Sequence, residues 1–252
     1  MQPIQIKPIE NGSITIQFTG EKVHLPEEVA RKVSEHWQRL IEAKPRMRNG
    51  EVFTATKVED EANGLRVELA ETDYAHYMYS HQLGDLGEYT VRIIHSAVLV
   101  ITTDNKLVFG AMSEHTSRLG VIQCCGGGID HNDITDGVVD MKHNAVNELH
   151  EELGIDVQDK ERVANFTPAY LKFGGPTGKM TVVYTLRLNQ NSEEFLKAYD
   201  AFATYLRATS EEPEFGKIFT LDRDKQIVNQ FISDHADKLD EYMPILLRTV
   251  AE

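Results

Sequence analysis

The stretch from Val138 to Ile155 constrains the chain most, because it predicts a helix that carries three carboxylates in its last two turns. Glu148, Glu151 and Glu152 are spaced i, i+3 and i+4, so they share roughly one flank of an α-helix. Apolar residues recur at helical spacing on the neighbouring flank, which we expect to be buried: Val138, Met141, Ala145, Leu149 and Leu153. Gly154 is suited to end the helix, which places the acids where the helix dipole favours cations.

Two explanations of this acidic patch remain open. In the first explanation the patch is a solvated face, as is common in a chain with 40 acidic and 26 basic residues and a formal net charge of −14. Alternatively, it holds a divalent cation, which would remove both the mutual repulsion of the acids and the dipole penalty. Hard cations such as Mg²⁺ take carboxylate oxygens, and the dipole conflict favours this second explanation.

Length and charge exclude several classes of protein. The 252 residues suffice for one large or two small domains with a real core. The net charge of −14 argues against a non-specific nucleic-acid or anionic-membrane surface, since both need clustered basic residues. No stretch approaches the roughly 20 apolar residues of a spanning helix, and no signal-peptide pattern is present. We expect a cytoplasmic protein without a membrane or a polymeric nucleic acid as its partner.

The only two cysteines, Cys124 and Cys125, are adjacent. Neighbouring strand residues point to opposite faces, so a structural disulfide between them is not expected, and a reduced cytosol fits best. Each cysteine is either a nucleophile or a buried strand residue. The absence of a basic neighbour favours the buried residue.

Residues 1–90 predict a small α+β domain. Alternating segments indicate three strands, Ile14–Phe18, Val52–Val58 and Leu65–Leu69, and an amphipathic stripe predicts a helix that begins near Pro26 and ends before Lys44. An aromatic cluster follows, formed by Tyr74, His76, Tyr77, Tyr79 and His81. These rings either pack between two domains or stack on a base, and packing is the commoner case.

Residues 91–252 open with a nearly continuous apolar run, Ile93–Thr102, which predicts a strand buried on both faces. A second predicted strand, Val121–Cys125, leads directly into Gly126, Gly127 and Gly128. Consecutive glycines let the backbone approach a ligand closely. A carbonyl of Gly126 or Gly127 is therefore expected to join the helix carboxylates at one cation.

The remaining elements alternate between strands and helices. They are predicted strands Phe166–Lys172 and Met180–Leu188, a helix that includes Phe195 to Leu206, a short strand Lys217–Leu221, and two terminal helices from about Asp224 and about Asp234. The order indicates a mixed α/β fold.

The run from Gly127 to Ile155 resembles the signature of the Nudix hydrolases, usually written GX5EX7REUXEEXGU, where U is aliphatic. Its second half matches without a gap, because residues 148 to 155 read Glu-Leu-His-Glu-Glu-Leu-Gly-Ile. The resemblance extends from about Arg92 to the C-terminus and does not cover residues 1–90. The longer layout is similar, more weakly, to subgroups that act on nucleotide sugars.

The first half of the signature departs from the family pattern. Glu148 follows Gly127 by 21 residues, where the pattern has fifteen, which implies a six-residue insertion around His131 to Asp136. Val139 stands where the first glutamate would fall. Asn147 replaces the arginine, which in the family braces the loop against the helix.

Asp136 or Asp140 is the expected substitute for the missing glutamate. The resemblance implies an α/β/α sandwich around a mixed sheet, preceded by the small α+β domain. It also implies Mg²⁺-dependent hydrolysis of a nucleoside diphosphate linked to another group X, with Mn²⁺ as a substitute metal. The products would be a nucleoside monophosphate and phosphorylated X. The expected partner is this small nucleotide-diphosphate substrate, and a homodimer is left open.

The family pattern also assigns roles to individual residues. Glu151 and Glu152 are the expected principal metal ligands, joined by Glu148 as a third ligand or as the base. Glu214, or less securely a neighbouring glutamate, is the expected further acid on a late loop.

Arg118, Lys172 and Lys179 are candidate phosphate contacts, although a solvated charge is the commoner fate of such residues. The alternative function is a catalytically silent Nudix-like module that binds a nucleotide or serves regulation. The altered Val139 and Asn147 favour that alternative, and the retained glutamates oppose it.

Overall fold

The computed structural model describes residues 3–9, 13–45, 47–61, 64–84, 86–116 and 118–252. Within these ranges the strands are β1 (Gln5–Pro8), β2 (Ser13–Lys22), β3 (Glu51–Glu61), β4 (Gly64–Asp73), β5 (Ile94–Ile101), β6 (Lys106–Met112), β7 (Ile122–Gln123), β8 (Ile134–Thr135), β9 (Val138–Val139), β10 (Val163–Phe173), β11 (Met180–Leu188) and β12 (Phe215–Asp222). The α-helices are α1 (Glu27–Ala43), α2 (Tyr74–Leu83), α3 (Met141–Leu153), α4 (Ser192–Ala208), α5 (Lys225–Asp234) and α6 (Met243–Val250).

The larger sheet has the strand order β1-β10-β11-β5-β6-β12, with β7 paired to β6. Strands β11 and β5 run parallel, and the other neighbours run antiparallel, so the sheet is mixed. One apolar core lies between this sheet and helices α3 and α4, and a second lies between its other face and helices α5 and α6. The predicted mixed α/β fold, with helices on both faces of a mixed sheet, is confirmed.

Strand β5 shows why the sheet needs helices on both sides. Val98 and Val100 face the core that contains α3, whereas Leu99 and Ile101 face the core that contains α6. All four side chains are buried. Side chains alternate between the two faces of a strand, so a continuous apolar run is the sequence that two covered faces require.

The smaller sheet has the order β3-β4-β2-β9-β8. Strands β2 and β4 run parallel, and helices α1 and α2 contact each other beside it. The tyrosine-rich stretch forms α2, a helix that was not predicted from the sequence. The side chain of Asp73 caps it by accepting the His76 backbone N–H at 2.8 Å.

The two sheets exchange strands across residue 90. Strand β1 pairs with β10, with Gln5 opposite Phe173. Strand β9 pairs with β2 through Gln17 and Val138. The division into 1–90 and 91–252 stays a prediction.

Several predicted elements are confirmed, among them α1, which follows Pro26, and β11, whose bounds match. Val138 was wrongly assigned to the buried stripe of α3. It lies in β9 and is 46% exposed, because Asp136 and Gly137 turn the chain with positive φ before the helix begins. The last helix begins at Met243 rather than near Asp234. Among the described residues, no helix combines the length and the apolar character needed to cross a membrane.

Candidate active site

Helix α3 is fixed at both ends. The Asp140 carboxylate accepts the backbone N–H groups of Lys142 and His143 at 3.0 Å each. Gly154 ends the helix at φ 62°, and its N–H donates to the His150 carbonyl at 3.1 Å, which confirms the predicted cap. The predicted apolar stripe is buried from Met141 onward, and this fixes the rotation of the helix and the direction of its acids.

Two of the helix acids face the glycine segment, which consists of Gly126, Gly127 and Gly128. Glu152 is 2% exposed, and its Oε2 accepts the Gly126 N–H at 2.9 Å. Glu148 is half-buried, and its carboxylate lies so close to Gly127 that a Cβ there would be 1.9 Å from Oε1. Gly127 therefore leaves room for the carboxylate, and any larger residue there would force the Glu148 side chain to shift.

The other two predicted acids are exposed to solvent. Glu151 lies on the same helix, and Glu214 comes just before β12. Both act electrostatically on Glu148, since each raises the pKa of its carboxyl group. The structure thus brings all four predicted glutamates into one neighbourhood.

Burial and mutual repulsion dominate the electrostatics of this group. Burial, followed by the charges of Glu214 and Glu151, raises the pKa of Glu148 to about 8. Burial and the charges of Glu148 and Glu214 also raise the pKa of Glu152 well above its ordinary value, against the opposing hydrogen bonds from Cys125 and Gly126. Within the described ranges, no lysine, arginine or histidine forms an ion pair with these glutamates.

The glycine segment pairs with the start of β5. The Val98 N–H donates to the Cys125 carbonyl at 2.6 Å, and the Ser96 N–H donates to the Gly127 carbonyl at 3.0 Å. Gly126 has φ 143°, and a Cβ there would lie 2.2 Å from the Ser96 carbonyl oxygen. Because the Gly127 carbonyl already accepts a bond, the Gly126 carbonyl is the better candidate ligand of the two.

The expected substitutes for the missing glutamate do not reach this group. Asp140 caps α3, and Asp136 is exposed at the tip of the β8–β9 turn with φ 51°. Val139 is buried in β9. Asn147 contacts the His143 ring at 3.3 Å and does not brace the glycine segment.

Arg118, Lys172 and Lys179 are brought together, but at two other carboxylates. Arg118 and Lys179 both pair with Asp240, and Lys172 pairs with Glu241. Lys172 and Lys179 are both buried, with 0% and 7% exposure, so the expectation of a solvated charge is wrong for both. Although burial opposes ionisation, Lys179 and Arg118 hold the pKa of Asp240 well below its ordinary value. A role for the three cations in phosphate binding stays a prediction.

The aromatic residues of α2 lie beside these ion pairs. Tyr77 and His81 stack with ring centroids 5.5 Å apart and together with Lys179 line a small pocket. Burial and the nearby charges of Lys179 and Arg118 lower the pKa of His81. Tyr77 and His81 thus pack against the second part of the chain, as the commoner explanation had it, whereas Tyr74 and Tyr79 contact Trp37 and His36 of α1.

A larger cleft of about 440 Å³, which the sequence did not predict, is lined by Pro213 and Gly216 on either side of Glu214 along the chain. The Ser113 N–H donates to the Glu214 carbonyl at 2.7 Å, which joins one wall of the cleft to the acidic group. Arg207 and Lys217 contribute cations to the lining, Glu114 and Glu212 contribute carboxylates, and Met112 contributes apolar surface. The cleft offers room beside the acids for part of a substrate.

A second cluster of potential metal ligands was also missed. Atoms of Glu51, Glu71 and His131 lie within 4.8 Å of one another. The Glu71 carboxylate pairs with Lys22, and Glu51 pairs with His131 at 3.1 Å. Lys22 offsets one of these two carboxylates, whereas no lysine or arginine is paired with the glutamates on α3 within the described ranges.

Both cysteines are buried free thiols. Burial raises the pKa of Cys124 to about 12 and the pKa of Cys125 well above its ordinary range. Such thiols are poor nucleophiles, and the prediction of buried strand cysteines is confirmed.

Comparison with known proteins finds only weak overall similarity. No protein-family model matches the chain, and no curated protein matches it. Among solved structures, the DR0079 protein from Deinococcus radiodurans is 12% identical with a TM-score of 0.43, over 64% of this chain and 84% of that one. A MutT protein from Methanosarcina mazei Go1 is 12% identical with a TM-score of 0.37, over 63% of this chain and 92% of that one. These similarities do not identify a function.

Proposed function

We propose that this protein is a Nudix-type enzyme that hydrolyses the diphosphate bond of a nucleoside diphosphate linked to another group X. The products are a nucleoside monophosphate and phosphorylated X. One observation carries the proposal: Glu148 and Glu152 converge on the glycine segment, largely withdrawn from water, with no cationic side chain paired to them in the described chain. Uncompensated buried charge is costly, so the arrangement calls for an external cation.

The donor set fits Mg²⁺. Glu148, Glu151 and Glu152 offer hard carboxylate oxygens, and the Gly126 carbonyl would complete the protein ligands. When bound, Mg²⁺ supplies charge neutralisation and Lewis acidity to the diphosphate oxygens, and Mn²⁺ can take its place. The cradle at Gly127 supports this assignment, because it keeps the Glu148 carboxylate against the backbone.

The chain's own groups provide orientation and proton transfer. The Gly126 N–H holds the Glu152 carboxylate in one position at 2.9 Å. The raised pKa of Glu148 makes its ionised carboxylate a stronger base than an ordinary glutamate, which suits a group that accepts a proton from the attacking water. Glu214 is the second candidate for this base, because it is exposed and acts on Glu148 from the loop before β12.

The cleft beside Glu214 is the place we assign to one end of the substrate. Arg207 and Lys217 in its lining stand beside Glu114 and Glu212, a mixture of donors and acceptors that suits a hydroxyl-rich group, and Met112 gives apolar contact. A nucleotide sugar has both kinds of surface. We therefore place nucleotide sugars first among the candidate substrates.

Hydrolysis of a substrate panel tests the proposal. Nucleotide sugars, dinucleoside polyphosphates and dinucleotide cofactors are incubated with Mg²⁺ or Mn²⁺, and the monophosphate product is detected by a phosphate-coupled assay. We expect turnover by the wild type and its loss in Glu152→Gln. Exposed Glu161→Gln serves as the matched control and should retain wild-type turnover. Near wild-type turnover in Glu152→Gln would refute the assignment.

A silent nucleotide-binding module is the second candidate. It is favoured by Asn147, which takes the position of the family's arginine and contacts only the His143 ring among the described residues. Calorimetry with the same nucleotides separates the two functions. Binding without turnover on the whole panel would support the silent module.

A further inference from the structure

The inserted segment, around His131 to Asp136 between the glycine segment and α3, is held by the smaller sheet. The Phe18 N–H donates to the Gly137 carbonyl at 2.8 Å, next to the β2–β9 pairing. The His131 ring packs edge-on against Phe18 and Phe53, with centroids 5.9 and 5.2 Å apart. The insertion is therefore anchored to residues from the first part of the chain.

The root of the same segment is tied to α3 through a buried carboxylate. Asp133 is 3% exposed, and its Oδ2 accepts the Asn144 side-chain amide at 2.9 Å and the Asp130 N–H at 3.0 Å. Its Oδ1 lies 3.2 Å from His143 Nδ1. One side chain thus joins the insertion to two positions on the helix.

Asn144 extends this connection to the glycine segment and to β5. It is 4% exposed, and its Nδ2 also donates to the Gly128 carbonyl at 2.9 Å. Its Oδ1 accepts the buried Ser96 hydroxyl at 2.6 Å. Asn144 precedes Glu148 by four residues, so it lies one turn away on the same flank of α3.

We propose that Asp133 and Asn144 are positioning residues of the carboxylate site, and that they lock the glycine segment to α3 at the separation that metal binding needs. The inference rests on the proposed function, because it concerns the same site. Four structural elements meet at this pair: β5, the glycine segment, the inserted segment and α3. Asn147, in the position of the family's arginine, makes no such connection among the described residues.

The pair has the geometry of a brace that acts through other groups. Neither residue needs to touch the cation, since each binds the backbone or side chains that present the ligands. Loss of outer-shell hydrogen bonds of this kind typically weakens metal affinity by about 10- to 100-fold. The glutamates themselves would remain, so raising the metal concentration should restore turnover.

Asn144→Leu tests the brace, because it keeps the side-chain volume and removes the three hydrogen bonds. Asn147→Leu on the same helix is the matched control. Mg²⁺ binding is measured by calorimetry on the full chain, with near-UV circular dichroism as the check of folding. We expect a dissociation constant about 10- to 100-fold higher in Asn144→Leu and less than about 3-fold changed in the control. In the hydrolysis assay, kcat at saturating Mg²⁺ should stay near the wild-type value.

Asp133→Asn provides a second variant if Asn144→Leu fails to fold. It retains one acceptor oxygen, so we expect a smaller but measurable loss, at least about 3-fold in Mg²⁺ affinity. Wild-type affinity in either folded variant would overturn the brace alone. Absence of Mg²⁺ binding by the wild type would overturn the proposed function and the brace with it.

Discussion

Replacement of Glu148 by glutamine should stabilise the metal-free protein while it weakens metal binding. The pKa of Glu148 is raised from an ordinary 4.5 to about 8 by burial and by its acidic neighbours. The folded state therefore binds this proton more tightly than the unfolded state does. Stability from this group is fully present below pH 4.5 and is lost as the pH rises to about 8.

The size of the effect follows from the same shift. At about 1.4 kcal/mol per pH unit, the interval between 4.5 and neutral pH corresponds to an upper limit of about 3 kcal/mol. Because the carboxylate keeps part of its solvent contact, we expect about 1 to 3 kcal/mol of added stability in Glu148→Gln at pH 7. In a chain of this size, that is a rise in Tm of about 2 to 4 °C per kcal/mol.

The assay is thermal and urea unfolding between pH 5 and 9, first with a chelator and then with Mg²⁺. Wild type should lose stability with rising pH in the chelator, and Glu148→Gln should show a flatter profile. Mg²⁺ at a hundredfold excess over its dissociation constant should add about 3 kcal/mol to the wild type and less to the variant. A variant less stable than the wild type in the chelator, with an unchanged pH slope, would refute the reasoning.

Three further predictions concern packing and reactivity. Gly127→Ala should lower Mg²⁺ affinity at least 10-fold by calorimetry, because the new Cβ would lie 1.9 Å from a carboxylate oxygen. Gly128→Ala, with open space around its Cβ, should bind as the wild type does. Lys172→Met should cost about 3 to 5 kcal/mol in urea unfolding, because it leaves Glu241 unpaired. Adding Glu241→Gln should recover part of that loss, and no recovery would count against the ion pair. Cys124, with its pKa raised to about 12, should resist iodoacetamide at pH 8 until the protein unfolds, and rapid labelling of the folded protein would contradict its burial.

The sequence predicted those features that depend on local periodicity. The alternation around Ile16, the apolar run of β5 and the stripe from Met141 to Leu153 each correspond to observed elements, because burial imposes a period of 2 or 3.6 on such residues. The Gly154 cap was also predictable from the local sequence, since the left-handed conformation selects glycine.

What the sequence could not show depends on contacts between distant segments. Asn144 is an ordinary polar residue in the sequence, and its role follows only from its buried hydrogen bonds to Ser96, Gly128 and Asp133. The family pattern pointed instead to Asp136 and Asp140, because it compares positions along the sequence and not neighbours in space. Lys172 likewise looks like a surface lysine until Glu241, 69 residues later, is placed beside it.

The exchange of strands between the two sheets has a consequence for dissection of the protein. A fragment cut at residue 90 would carry β1 without its partner β10, and the remainder would carry β8 and β9 without β2. Each piece would display unpaired backbone donors and acceptors along an edge, which favours self-association. If the two pieces were co-expressed as separate polypeptides, β1 would again pair with β10 and β2 with β9. The chain is thus suited to split-protein reassembly, and its halves are poorly suited to separate expression.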